Sequence, residues 1–128
     1  MNLILPIDNC RQIVADIQVI LEQKVAQEPS TLMEYLNDLS SMLGTSAQII
    51  SSVQYHVESA SLISVSEAKK DGYSPQMAKV FIEGRCAEIR ALYKLAERQN
   101  AALVHRIDAT RSILSFTKQE MYHSNTQR

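Results

Sequence analysis

Apolar residues recur at alternating steps of three and four along three long segments of this 128-residue chain. In a helix, this spacing lines the side chains up in one stripe that packs against a neighbouring helix. The stripes consist of Ile7, Cys10, Val14, Ile17 and Leu21; of Leu32, Leu36, Leu39, Leu43, Ser46, Ile50, Val53, Val57 and Ala60; and of Ile82, Cys86, Ile89, Tyr93, Ala96, Asn100, Leu103, Ile107, Thr110 and Leu114. The pattern predicts helices packed along their lengths.

Capping residues predict where the first two helices begin and end. Asp8 is a candidate N-cap, and Pro29 stops the helix that starts there. Thr31 and Glu34 have the T-x-x-E spacing of a capping box, in which each side chain accepts a hydrogen bond from a free backbone N–H. We therefore expect helix 1 over about residues 8–27 and helix 2 from residue 31.

A second break separates helices 2 and 3. Gly72 suits a left-handed C-cap, and Ser74 followed by Pro75 suits the start of a helix. The three-four rhythm crosses Gly44 without a change of phase, so we expect helix 2 to continue to about residue 70. Helix 3 is expected over 75–121. Three Gly and three Pro residues are too few for an all-β fold or a disordered chain.

The stripes also predict how the helices pair. Pairing Val57 with Ile89, and Leu39 with Ile107, centres a helical hairpin on Tyr73, within the expected turn. Pairing the stripes of helices 1 and 2 in the same way, for example Leu21 with Leu39, centres a second hairpin near residue 30. We therefore expect one all-α domain over residues 1–128, an antiparallel up-down-up three-helix bundle with a long coiled-coil-like hairpin.

Two of the polar residues within the predicted stripes fall at the same level of the bundle. The register places Ser46 and Asn100 in the same layer, beside Val14. A single buried Asn commonly fixes the register of a coiled coil at some cost in stability. We therefore predict a buried polar layer with a structural role.

Helix 1 is too short to cover the whole hairpin. Its stripe ends at Ile7, and only Met1 to Leu5 could extend over the remaining layers. An uncovered apolar surface of this size is unusual on a monomer. We therefore predict a homodimer or higher homo-oligomer joined through Val57, Ile63, Phe81, Ile82 and Ile89.

The sequence contains no complete catalytic or cofactor-binding motif. The chain has no Gly-rich phosphate loop, GxSxG or HExxH. Glu120 and His123 form one E-x-x-H, whereas a di-iron bundle needs two and further carboxylates. We therefore expect no enzymatic activity, cofactor, metal or small-molecule substrate.

Two Cys residues without a C-x-x-C spacing predict neither a disulfide framework nor a zinc site. The N-terminal residues do not resemble a signal peptide, and no run of apolar residues is long enough to cross a membrane. These features predict a cytoplasmic protein with no membrane contact.

Charge is distributed unevenly along the chain. Residues 1–74 contain four basic and nine acidic side chains, whereas residues 75–128 contain nine basic and five acidic ones. Such asymmetry is typical either of acidic helices packed against a basic one or of a nucleic-acid surface. Arg90, Lys94 and Arg98 recur at steps of four and are the candidate nucleic-acid contacts.

A polar pattern follows Tyr93 in helix 3, with the form H-x-x-D-x-x-R-S-x-x-S-x-x-K-x-E-M. Its positions here are His105, Asp108, Arg111, Ser112, Ser115, Lys118, Glu120 and Met121. Residues 93–121 thereby resemble the C-terminal run of small helical proteins of bacteriophages and prophages, mostly of unknown function. The resemblance implies a phage setting and an accessory role near replication or recombination.

These observations predict a non-enzymatic, oligomeric helical interaction protein. The alternative is a nucleic-acid-binding accessory protein that uses the basic face of helix 3. Salt-dependent binding to DNA distinguishes the two, because phosphate contacts release counterions and apolar helix packing does not.

Overall fold

A computed structural model of the chain describes residues 3–126, which form three helices: α1 (Ile7–Glu22), α2 (Pro29–Lys70) and α3 (Pro75–Thr126). No strand occurs within these residues, so the predicted all-α class is confirmed. Each helix contacts the other two. At 1.5 Å per residue, the 52 residues of α3 span about 78 Å.

The predicted break between α1 and α2 is wrong in detail. Helix α1 follows Pro6 and ends at Glu22, five residues earlier than expected. Helix α2 begins at Pro29, with Glu28 as its extended N-cap, so Thr31 lies inside the helix and the capping box is absent. Proline needs no N–H partner and has a helical φ, so Pro29 starts α2; α1 has already ended at Glu22.

The break between α2 and α3 has the predicted chemistry. Gly72 has a φ of 72°, the left-handed conformation that glycine adopts without strain. The Ser74 hydroxyl accepts a hydrogen bond of 3.3 Å from the Met77 N–H at the start of α3. Helix α2 continues through Gly44, and α3 continues five residues past the predicted end.

The core consists of two clusters of buried residues in which all three helices take part. The first contains Ile17, Leu21, Tyr35, Leu39, Leu103 and Ile107. The second contains Cys10, Val14, Ile49, Val53 and Ala96. Burial raises the pKa of the Cys10 thiol, so this thiol stays protonated and unreactive at neutral pH.

The buried side of α2 is wider than its predicted stripe. Tyr35 and Ser52 lie off the stripe but are buried, because both face the N-terminal part of the chain. The Tyr35 hydroxyl donates to the Ile20 carbonyl at 2.9 Å, and the Ser52 hydroxyl accepts from the Leu5 N–H at 3.0 Å. Leu36 and Leu43, on the stripe, are only half-buried.

The residues before α1 lie against α2. Besides the Ser52 contact, the Leu5 carbonyl lies 2.7 Å from Nε2 of His56. The Leu3 carbonyl accepts from the Gln48 amide at 3.4 Å. From Leu5 back to Leu3 the contacts therefore move to lower residue numbers on α2, away from its C-terminal end. Met1 and Asn2 lie outside the described residues.

Candidate functional site

The last turns of α2 and the first turns of α3 form a thin two-helix segment, which we call the hairpin end (residues 57–89). Small side chains fill the seam between its helices: Ser64, Ala68 and Cys86 are buried, with 3.9 Å between Ser64 Oγ and Cys86 Sγ. Small side chains remove little apolar surface from water. The seam therefore stabilises this segment less than the core stabilises the rest.

Several of the larger apolar side chains at the hairpin end are exposed. Leu62 is 72% exposed, Val80 71% and Ile63 58%. Successive helical residues point about 100° apart, so Leu62 and Ile63 lie on different sides of α2. Exposed apolar side chains therefore lie on more than one side of this segment.

An aromatic cluster lies beside this surface. The Phe81 ring packs edge-on against Tyr73, with 5.2 Å between centroids, and the Arg85 guanidinium lies 5.6 Å from its centre. Arg85 also forms an ion pair of 2.7 Å with Glu67. Together with Met77 and Val80, the two rings line a hollow of about 420 Å³, wide enough to receive an apolar side chain.

The structure divides the five predicted interface residues into two groups. Val57 and Ile89 are half-buried against the second core cluster, which also includes Leu5 and Ile7. Ile63, Phe81 and Ile82 are beyond that cluster, Phe81 and Ile82 half-buried and Ile63 exposed. The sequence-based prediction did not include Leu62, Met77 and Val80, which lie off the heptad stripes and are exposed.

The predicted polar layer is brought together. The Asn100 amide donates to the Ser46 hydroxyl at 3.3 Å, and Ser46 is buried while Asn100 is half-buried. The neighbouring Gln99, which the apolar pattern does not indicate, is more deeply buried. Its amide nitrogen donates to the Val14 carbonyl at 2.9 Å and to Gln18 Oε1 at 3.1 Å, linking α3 to α1.

Replacing Asn100 by Leu tests this layer. We expect the melting temperature of Asn100→Leu to stay unchanged or rise, because Leu removes the cost of partly burying an amide and Ser46 can bond to its own helix backbone. Thermal unfolding followed by circular dichroism measures this. A loss of more than about 2 kcal/mol would contradict the assigned role, because a single neutral hydrogen bond contributes less.

The candidate nucleic-acid contacts do not form one straight row. Residues four apart on a helix are displaced by about 40° around it, so Arg90, Lys94 and Arg98 wind around α3. Arg90 is half-buried, whereas Lys94 and Arg98 are exposed. Arg98 borders a groove beside α1 together with His105 and Arg106. No ion pair within residues 3–126 engages any of the three predicted contacts.

The described part of the chain has neither a grouped set of metal ligands nor a membrane-spanning helix. Among residues 3–126, no three His, Cys, Asp or Glu side chains are grouped so that they could hold a metal ion. Within the same range, none of the helices has an apolar stretch that would span a lipid bilayer.

Comparison with known proteins assigns no family. No family model, curated protein or solved structure is significantly similar to this chain.

Proposed function

We propose that this protein is a non-enzymatic helical interaction protein that self-associates through the hairpin end. The observation that carries the proposal is the set of exposed apolar side chains on a segment only two helices thick. From the resemblance of residues 93–121, we further propose a cytoplasmic accessory role in a phage or prophage setting.

The architecture that we propose is a single domain, an antiparallel up-down-up bundle with a coiled-coil-like hairpin. Polar contacts support it: Ser64 lies near Cys86, whereas Ser46 bonds to Asn100, so partner numbers rise on α3 as they fall on α2. Leu39 and Ile107 also share a core cluster, as the register requires. These contacts support an antiparallel pairing of α2 and α3 over most of their length.

A second copy is the partner that the hairpin end fits best. Two hairpin ends packed antiparallel give four helices around one core, which is a stable helical arrangement, and the rest of each chain then extends in opposite directions. A two-fold axis across the helices allows α2 of each copy to lie beside α3 of the other, so Ile63 can reach the surface around Phe81. The Arg85–Glu67 ion pair leaves this flank without an excess of either charge to repel an identical surface.

Molar mass in solution tests the proposal. We expect light scattering at tens of micromolar protein to give about twice the chain mass of 14.4 kDa, or a higher multiple. Dilution should shift the mass toward 14.4 kDa in a concentration-dependent manner. A mass of 14.4 kDa throughout this range would contradict self-association.

Nucleic-acid binding is the alternative function, favoured by the exposure of Lys94 and Arg98. In this alternative Arg90, Lys94 and Arg98 each contact a phosphate, so the logarithm of the binding constant on duplex DNA would fall with the logarithm of the salt concentration with a slope of about −3. We expect no binding at about 50 mM salt, because a pI near 6.3 gives no long-range attraction to a polyanion. Fluorescence anisotropy measures this. Binding with that slope, lost when Arg90, Lys94 and Arg98 are all changed to Ala, would establish the alternative instead.

A further inference from the structure

A groove runs between the C-terminal half of α1 and the middle of α3, outside the hairpin end. Its volume is about 650 Å³, and an adjoining hollow of about 290 Å³ shares Arg106 and Ala109 with it. The α3 residues that line the groove and the adjoining hollow lie between Leu95 and Ile113, a distance of about 27 Å along the helix. The groove is long enough for about five turns of another helix.

The floor of this groove belongs to an apolar stripe that α3 does not use against α2. Leu95, Ala102, Ala109 and Phe116 are seven residues apart and share one face of the helix. Leu95 is 41% exposed and Phe116 61%, while the two alanines allow another backbone to approach closely. These four residues supply one apolar position per heptad, and Arg98, His105 and Arg106 lie between them on the same side of the helix, so basic side chains flank a narrow apolar row. Ala102 packs partly against the first core cluster, whereas Leu95, Ala109 and Phe116 are exposed.

The rim of the groove is basic. Lys24, Arg98, His105 and Arg106 border the two hollows, and Glu22 is the only carboxylate among the described lining residues. No ion pair within residues 3–126 neutralises these basic side chains, although Arg106 donates to the Leu21 carbonyl at 2.9 Å. The complementary surface is therefore acidic as well as apolar.

We propose that this groove binds an acidic amphipathic helix of another protein. The basic rim faces the acidic side chains of that helix, and the stripe packs against its apolar face. A second copy fits poorly, because antiparallel pairing of two such stripes brings His105 and Arg106 of both copies together at the symmetry axis. The floor has no row of aromatic side chains on which nucleic-acid bases could stack.

Binding of designed peptides to the full chain tests the proposal. The probe is a fluorescein-labelled helical peptide of three heptads, with Leu and Ala on one face and Glu on the other. Its matched control replaces every Glu by Lys. We expect anisotropy to report saturable binding of the acidic peptide and at least about tenfold weaker binding of the basic one, because only the first complements the rim.

Two pairs of variants locate the site. Ala109→Trp fills the floor, whereas Ala101→Trp makes the same change at an exposed position outside the lining. Arg98→Glu with His105→Glu reverses the rim charge, a change of about −3 with His neutral, whereas Lys94→Glu with Lys118→Glu makes a slightly larger change of about −4 outside the groove. We expect the first member of each pair to weaken binding at least about tenfold and the second to change it less than about threefold.

Three results would overturn the proposal. One is no binding of the acidic peptide up to about 200 µM, since an interface of five helical turns should bind more tightly than that. Another is equal weakening by both members of a variant pair while circular dichroism shows that the variants remain folded. The third is displacement of the peptide by duplex DNA, which would assign the groove to nucleic acid.

Discussion

Replacing Ile63 by Glu is expected to convert the protein to a monomer. Ile63 is 58% exposed in the single chain, so the new carboxylate stays hydrated there and the fold is retained. In the proposed interface the same carboxylate is buried without a partner, which costs several kcal/mol. We expect the dimer Kd to rise at least about a hundredfold, measured by analytical ultracentrifugation.

A matched variant controls for a general effect of added charge. Val19 on α1 is 62% exposed and lies outside the hairpin end, so Val19→Glu should leave both the dimer Kd and the melting temperature nearly unchanged. Equal dissociation by Ile63→Glu and Val19→Glu would place the interface elsewhere. Ile89→Glu is less informative, because Ile89 packs against the second core cluster of the single chain.

Gln99→Glu is expected to be the most destabilising single-atom exchange in the core. Gln99 is 2% exposed, and its amide nitrogen donates to the Val14 carbonyl and to Gln18 Oε1. The amide oxygen of Gln99 itself is buried with no hydrogen-bond donor among the described residues. In Gln99→Glu an oxygen replaces the amide nitrogen and faces the Val14 carbonyl and Gln18 Oε1, which are both acceptors. We therefore expect a loss of at least about 3 kcal/mol in the free energy of unfolding.

Chemical denaturation measures this loss, and pH gives a second readout. Burial raises the pKa of the carboxyl introduced by Gln99→Glu, so the loss should shrink as the pH falls and the group takes up a proton. Gln18→Glu makes the same change on the exposed neighbour and should cost less than about 1 kcal/mol. A small, pH-independent effect of Gln99→Glu would contradict the assigned burial.

The apolar rhythm predicted much of the fold because it directly records which side of a helix is covered. In α1 it identified Cys10, Val14, Ile17 and Leu21, all of which are buried. It predicted less of α2, where Tyr35 and Ser52 turn toward the N-terminal part of the chain. A helix with two neighbours buries two faces, whereas a single heptad stripe describes one. No capping residue or change in the apolar pattern indicated that α1 would end as early as Glu22.

Polar and off-stripe residues were the least predictable. Gln99 carries no apolar signal, and its burial depends on hydrogen bonds to α1 that only the three-dimensional arrangement provides. At the candidate site, the sequence indicated Ile63 and Phe81 through the shortness of helix 1. It did not indicate Leu62 or Val80, because exposed apolar residues outside a stripe are common on helices that make no contact.

The distance between the hairpin ends of two copies tests the central claim most directly. Nitroxide labels at Lys70→Cys and, in a separate protein, at Lys118→Cys report distances between copies by pulsed electron paramagnetic resonance. Cys10 and Cys86 are fully buried and should remain unlabelled. Lys118 lies about 70 Å along α3 from the turn before it. We expect a distance below about 40 Å for Lys70→Cys and no measurable coupling for Lys118→Cys. A short distance for Lys118→Cys, or none for Lys70→Cys, would contradict self-association through the hairpin end.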